Sequence, residues 1–191
     1  MKHRDTRERL IENTIHAIAS EGLDKTTTKA IVKGTDINEA YIYRHFNDKE
    51  ELFARTFEKL DNELVEKAME NVDIMRIPCL DFEFRCQAFF ASIWRFMLDN
   101  EERCTAYLRY YYSPYFKKYS LEAHALRYTP FMKVFSTAFK EEANVWMILK
   151  HVLNTMLDFS IRVFEGSVPD NEDTAEHVFR LVFCSVKQYF K

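Results

Sequence analysis

Chain breakers are scarce here. Three glycines and four prolines in 191 residues are too few for the frequent turns of a sandwich or barrel, and no run of alternating β-branched residues marks a strand. A chain of long helices, an all-α fold, is expected. Uninterrupted apolar runs are missing too: nowhere do about 18 uncharged apolar residues stand together, and the N-terminal residues are polar and charged, without a signal region. A cytoplasmic protein with no membrane association is expected. Cys79, Cys86, Cys104 and Cys184 form no Cys-x-x-Cys pair and have no histidines at matching spacing, which excludes the usual zinc and disulfide frameworks and suggests core thiols of a cytosolic protein. The chain also lacks a Glu-x-x-His pair, a glycine-rich phosphate loop and a nucleophile elbow, so neither an enzyme nor a bound cofactor is expected. Finally, an excess of positive charge is absent. With 27 Lys and Arg against 30 Asp and Glu, the net charge is -3, and binding to a polyanion has to be local.

What is present is apolar and aromatic mass, 47% hydrophobic and 15% aromatic residues, enough for a sizeable core. One stretch, Thr26 to Leu52, organises the rest. A short helix starts behind Thr27 as cap, buries Ala30 and Ile31, and stops at Gly34, which can take a left-handed turn. After four residues Asn38 caps a second short helix whose Ile42 and Phe46 face inward. Glu39, Ala40, Tyr41, Tyr43, Arg44 and His45 are left outside. Two tyrosines beside arginine and histidine suit phosphates and base edges, and small Ala40 permits close approach, so the stretch reads as a DNA-binding helix-turn-helix. A third helix opens at Asp48 with Lys49-Glu50-Glu51, the spacing of a capping box. Residues 1 to 52 hold nine Lys or Arg against ten Asp or Glu. Phosphate neutralisation therefore falls to Lys25, Lys29, Lys33, Arg44, Lys49 and His45 around the turn.

The order Thr-x-x-x-Ile, a tight turn, then Tyr-x-Tyr-Arg-His-Phe-x-x-Lys-Glu-Glu-Leu-Phe resembles the N-terminal domain of tetracycline-repressor (TetR) family transcriptional regulators, over roughly Arg4 to Phe57. Asp36 stands where that family usually has glycine. Asp tolerates a left-handed conformation, so the turn is expected to survive. The resemblance implies a helix-turn-helix domain over 1-52 and a helical effector-binding and dimerisation domain over 53-191. It implies that Thr27, Thr28, Lys29, Asn38, Tyr43, His45 and Lys49 hold the DNA backbone, with Ala40, Tyr41 and Arg44 at base edges. Glu39 stands where many relatives carry a basic or neutral polar residue and is suited either to accept from a cytosine amine or to repel a misplaced phosphate.

In chain order, Asp5-Thr6-Arg7-Glu8 reads as a capping box for a helix with the stripe Leu10, Ile11, Ile15, Ile18, Ala19, closed by Gly22 and Leu23 as a Schellman end. The helix from Asp48 runs on through Phe53, Phe57, Leu60, Leu64 and Met69, outlasting the small domain in which it starts, and the pattern lapses between Asn71 and Pro78. Helices follow at Leu80 to Leu98, Glu101 to Tyr112, and from about Pro114 towards Phe139, the last kinked or split by Pro130. The aromatics between residues 82 and 139 include tyrosines, whose hydroxyls are poor choices for a purely apolar core. A pocket for a small apolar or aromatic effector is expected among Phe90, Trp94, Tyr107, Tyr111, Tyr128, Phe131, Phe135, Leu153 and Met156. The helices Glu142 to Glu165 and Asn171 to Tyr189 are broadly apolar and have to be covered on two sides. By the resemblance they form the interface of a homodimer bound to a palindromic operator, with Val178 and Val182 in that interface. His151, Asn154 and Asp158, at i, i+3 and i+7, are expected to be partly buried there, in a polar network in preference to contact with a ligand. A ligand-responsive repressor is the reading adopted. Its rivals are a DNA-binding protein of the same fold controlled by protein partners, which a tight core would favour, and a helical small-molecule carrier, which loss of the basic and tyrosine residues near the turn would favour.

Overall fold

The structure, a computed structural model, describes residues 6–191. Among these the regular elements are helical: α1 Thr6–Glu21, α2 Thr28–Val32, α3 Ala40–His45, α4 Lys49–Asn71, α5 Phe82–Leu98, α6 Glu101–Tyr111, α7 Leu121–Arg127, α8 Thr129–Phe135, α9 Val145–Phe164 and α10 Glu172–Val186. The all-α class read from the sequence is the class observed. Asp5, the proposed first cap, lies outside the described residues. The chain divides into two compact units: residues up to Glu63 with Glu102–Ala125, and Leu64–Glu101 with Leu126–Lys191. The first dividing point thus falls inside α4 rather than after Leu52, because α4 is one uninterrupted helix of 23 residues.

In the first unit, α1 buries Leu10, Ile11, Ile15 and Ile18 against Ile31 of α2, Ile42 of α3 and Phe46. Two local expectations need correction. Gly22 does have positive φ, at 88°, but its ψ of 157° is extended rather than left-handed, so the chain leaves α1 without closing a Schellman end and starts a 3-10 turn at Leu23. The C-terminal carbonyls of α1 are met from α6 instead: Arg109 donates to Ile18 O at 2.7 Å and Ala19 O at 3.0 Å, placing a cation at the negative end of the helix. At the helix-turn-helix the left-handed residue is Gly34, φ 74°, and no non-glycine residue has positive φ among those described. Asp36 needs no left-handed conformation. It pairs with Arg9, while the Thr35 hydroxyl accepts from Ile37 N at 3.2 Å and donates to Val32 O at 2.8 Å.

The rest of this unit packs round Phe57 of α4, whose ring lies 4.8 Å from Tyr110, 5.0 Å from Tyr107 and 5.3 Å from Phe116. Its partly covered edge holds an ionic cluster. Lys59 meets Glu8, Glu12 and Glu63, and Arg103 reaches Glu12 at 3.1 Å and Glu63 at 3.5 Å. Burial would raise the Glu12 carboxyl, but the Arg103 hydrogen bond and charge, aided by Lys59, outweigh it and hold the group below the usual carboxylate range. A lowered folded-state pKa contributes stability above the ordinary carboxylate value and loses it as pH falls through the lowered one. Thermal melts of Arg103→Ala are therefore expected to depend less steeply on pH in the acid range than those of the wild type; identical pH profiles would dismiss the cluster as a source of stability.

In the second unit α5, α9 and α10 pack together, with α8 against α9. Their core includes Phe90, Ile93, Trp94, Met97, Ile148, Met156, Phe179 and Val186. Pro130 splits the helix expected through it. It sits in the first turn of α8, where its missing N–H has no intrahelical partner to lose. The chain reaches α8 through a π-helical segment, Phe116–Ser120, and α7. Residues 139 and 190 form an isolated antiparallel bridge, with Lys140 N donating to Tyr189 O at 2.9 Å. The expected core setting of the cysteines holds for Cys104 alone: Cys86 is half-buried, and Cys79 and Cys184 are exposed, the one in the loop before α5 and the other on the outer side of α10.

The interface expectation also needs revision. Val178, 1% exposed, and Val182 are core residues of their own unit. The outward stripe of α9 runs through Met147, His151, Asp158 and Arg162, and that of α10 through His177, Leu181 and Ser185. His151 and Asp158 are exposed rather than buried, Asn154 is half-buried, and Asp158 pairs with Arg162 at 2.9 Å. Ser185 donates to Val182 O at 2.7 Å, which leaves its oxygen to accept from the His151 ring at 2.9 Å.

Candidate nucleic-acid interface and apolar cavity

The candidate surface is built from short-range geometry. Thr27 caps α2, its hydroxyl oxygen accepting from Ala30 N at 3.1 Å. The Asn38 side chain accepts from Ala40 N at 2.9 Å and so caps α3 one residue ahead of its first full turn. Asp48 accepts from Glu51 N at 2.7 Å at the start of α4, but Glu51 reaches back to Asn47 N, 2.8 Å, instead of to Asp48. The box is therefore stretched by one residue and fastens the end of the α3 segment to α4.

With Ile42 and Phe46 inward, α3 exposes Ala40, Tyr41, Tyr43 and Arg44. Tyr43 is 58% exposed and Tyr41 40%, high values for tyrosines. His45 is half-buried and stacks on Tyr41 at 6.4 Å, while the Arg44 guanidinium lies 5.9 Å from the same ring. Thr28 donates to Glu39 Oε1 at 3.0 Å, so its hydroxyl proton is committed within the protein and Glu39 is held as a fixed acceptor beside α3. Lys29 is exposed, and Lys49 lies over the Phe53 ring at 5.2 Å. All eleven residues picked from the sequence stand on α2, α3 and their flanks, within the first unit. The sequence reading missed Arg9 and Arg7, which stay close by, one on Asp36 and the other over the Phe46 ring at 5.2 Å. Their spacing in α1 carries no signal that they end beside the turn.

The second unit holds a partly open apolar cavity of ≈ 130 Å³. Phe90, Tyr128, Phe131, Phe135, Leu153 and Met156 line it, together with Leu64 and Ala68 from α4. The other three expected residues do not. Trp94 stacks behind Phe90 at 5.9 Å. Tyr107 and Tyr111 belong to the first unit, where Tyr107 donates to Asp61 at 3.3 Å and Tyr111 packs on Phe116 at 4.5 Å. Cys86 is in the cavity wall, and burial pushes its thiol up to about 12, so it is a neutral group there.

Residues 10–56 match the family described as bacterial regulatory proteins, tetR family. Over 97 residues the chain is 25% identical to the biofilm operon icaADBC HTH-type negative transcriptional regulator IcaR of Staphylococcus epidermidis, a match covering 51% of this chain and 48% of that protein, about half of its length. In fold it is similar to a TetR family transcription regulator from Marinobacter aquaeolei VT8, with TM-score 0.77, 15% identity and 94% of each chain covered. It is likewise similar to a transcriptional regulator from Rhodococcus sp. Rha1, with TM-score 0.71, 16% identity, 96% of this chain and 97% of that one. No described helix is long and apolar enough to cross a membrane. The tetR match over the residues that build α2, α3 and the start of α4, and a like fold along most of the chain, lead to one conclusion: residues 10–56 carry the N-terminal domain of bacterial regulatory proteins of the tetR family, on a chain similar in fold to TetR family regulators.

Proposed function

We propose that the protein is a homodimeric repressor that holds a palindromic operator through two copies of α3 and lets go when a small molecule enters the cavity of the second unit. The observation that carries the DNA reading is the outward face of α3, Ala40, Tyr41, Tyr43 and Arg44, held rigidly by the buried Ile42 and Phe46. The IcaR relative is a negative transcriptional regulator, which supports repression. The aromatic cavity favours a small-molecule effector over control by protein partners alone, since a partner-controlled regulator has no use for a hollow core.

For an effector to release DNA it has to bind better to the state in which the reading heads are wrongly set; equal affinity shifts nothing. Leu64 and Ala68 give it the means. They line the cavity and lie on the same helix that begins at Lys49, so expansion of the cavity acts on the helix that carries a phosphate-binding lysine.

The test begins with the duplex selected by the protein from a random pool, which is expected to be palindromic. Lys49→Ala is expected to weaken binding to every duplex and to lower the salt slope by roughly 1, whereas Arg44→Ala costs about 1 to 3 kcal/mol and relaxes preference at one base pair per half-site. Affinity and salt dependence unchanged in both variants would reject α3 and Lys49 as the reading head.

A further inference from the structure

The cavity excludes charge, and the hollow next to it concentrates charge of one sign. Among the groups lining the cavity only Tyr128 and the neutral thiol of Cys86 carry polar side-chain atoms, so an ionised group placed inside would have no counter-charge. A second hollow, ≈ 330 Å³, shares Met75 and Phe135 with the first and adds Arg76, Lys133 and Thr137. Both of its ionisable side chains are cationic. Arg76 is paired with Asp73 at 2.9 Å, but Lys133 has no ion-pair partner among the described residues. A third cation reaches the same place: Arg85 donates to Met75 O at 2.6 Å, and its Nε is buried without a hydrogen-bond partner.

Resting on the reading that the cavity holds the effector, we propose that the effector is an anionic amphiphile, with its hydrocarbon chain among the phenylalanines and its acidic head at Lys133 and Arg76 beside Met75. A cationic amphiphile would meet like charge in the neighbouring hollow. A neutral aromatic compound would fill the apolar part and leave Lys133 and the buried Arg85 Nε without a partner. The sequence-based expectation of an apolar or aromatic effector therefore narrows: the apolar part is a chain or ring and the rest is an acid. An acidic head has two common chemical sources, a free carboxylate and the phosphates of a carrier-linked acyl thioester.

Titration calorimetry of the full chain at low salt with decanoate, decanol, decylammonium and decanoyl-coenzyme A separates the possibilities. Decanoate is expected to bind roughly tenfold more tightly than decanol, with decylammonium weakest. In the surface double variant Arg76→Gln, Lys133→Gln, decanoate is expected to fall to the level of decanol while decanol itself is unchanged. The thioester binding more tightly than the free acid, and losing that advantage in the double variant, assigns the head to the carrier phosphates; weaker thioester binding assigns it to the free carboxylate. Decanol binding as well as decanoate, or decanoate insensitive to the double variant, overturns the acidic head and leaves the effector cavity standing. Failure of all four probes to bind overturns the cavity reading beneath it.

Discussion

A lysine at Leu181 is expected to turn the protein into a monomer that no longer holds a specific DNA site. Leu181 is 56% exposed in the second half of α10, and Met147, 65% exposed, stands on the outward stripe of α9 in its first turn. Between them the His151–Ser185 hydrogen bond joins the outer faces of the two helices. If α9 and α10 meet their copies about a two-fold axis, the interface is the same patch twice, and one substitution introduces two desolvated ammonium groups. Loss of a central apolar contact costs about 2 to 4 kcal/mol, which is roughly 30-fold to 1,000-fold in the dimer dissociation constant. A short reading helix contacts too few base pairs for a unique site, so affinity for a palindrome falls with the dimer. Sedimentation equilibrium and operator titration in parallel read the effect. A wild-type monomer at micromolar concentration that still binds its palindrome specifically would refute the scheme, as would a Leu181→Lys protein that stays dimeric.

The choice of Leu181 shows where sequence pattern stops being informative. Val178 and Val182 have the right spacing for an apolar stripe, and they do form one, but periodicity marks a buried face without saying whether the same chain or a second one buries it. Val178 at 1% exposure is covered by its own unit, so a charge there would unfold the protein and say nothing about dimers. The candidate pocket failed at three residues for a related reason. Tyr107 and Tyr111 share the aromatic composition of the cavity wall, yet residues 102–125 return to the first unit and pack on Phe57 and Phe116. No local rule tells where a helix goes after a break. The reading head was legible because its determinants are local: Thr27 on Ala30, Asn38 on Ala40 and Asp48 on Glu51 are all bonds across two or three residues. Gly34 was read as left-handed and is; Asp36, expected to tolerate the same conformation further into the turn, does not need it.

Asp61 carries no sequence signal at all, one acid among seven on α4, and it is the residue whose loss is expected to cost most. It is fully buried. His124 Nδ1 lies 3.1 Å from each of its oxygens and the Tyr107 hydroxyl 3.3 Å from one of them, inside a ring of aromatics that includes Phe57, Tyr111 and Phe116. A carboxylate there is tolerable only because donors surround it, and the same donors are left in an apolar shell when it is removed. Asp61→Ala is therefore expected to destabilise the protein by about 3 to 5 kcal/mol, a large share of the roughly 5 to 15 kcal/mol that holds a domain folded. Asp61→Asn keeps the shape and one acceptor oxygen, and is expected to cost less, about 1 to 3 kcal/mol; Tyr107→Phe removes one neutral donor to the carboxylate and is expected to cost about 1 kcal/mol. Urea unfolding of the three variants beside the wild type gives the ranking Ala, Asn, then Phe. Equal midpoints for Asp61→Ala and the wild type would mean that the buried carboxylate contributes nothing to holding α4 against α6 and α7.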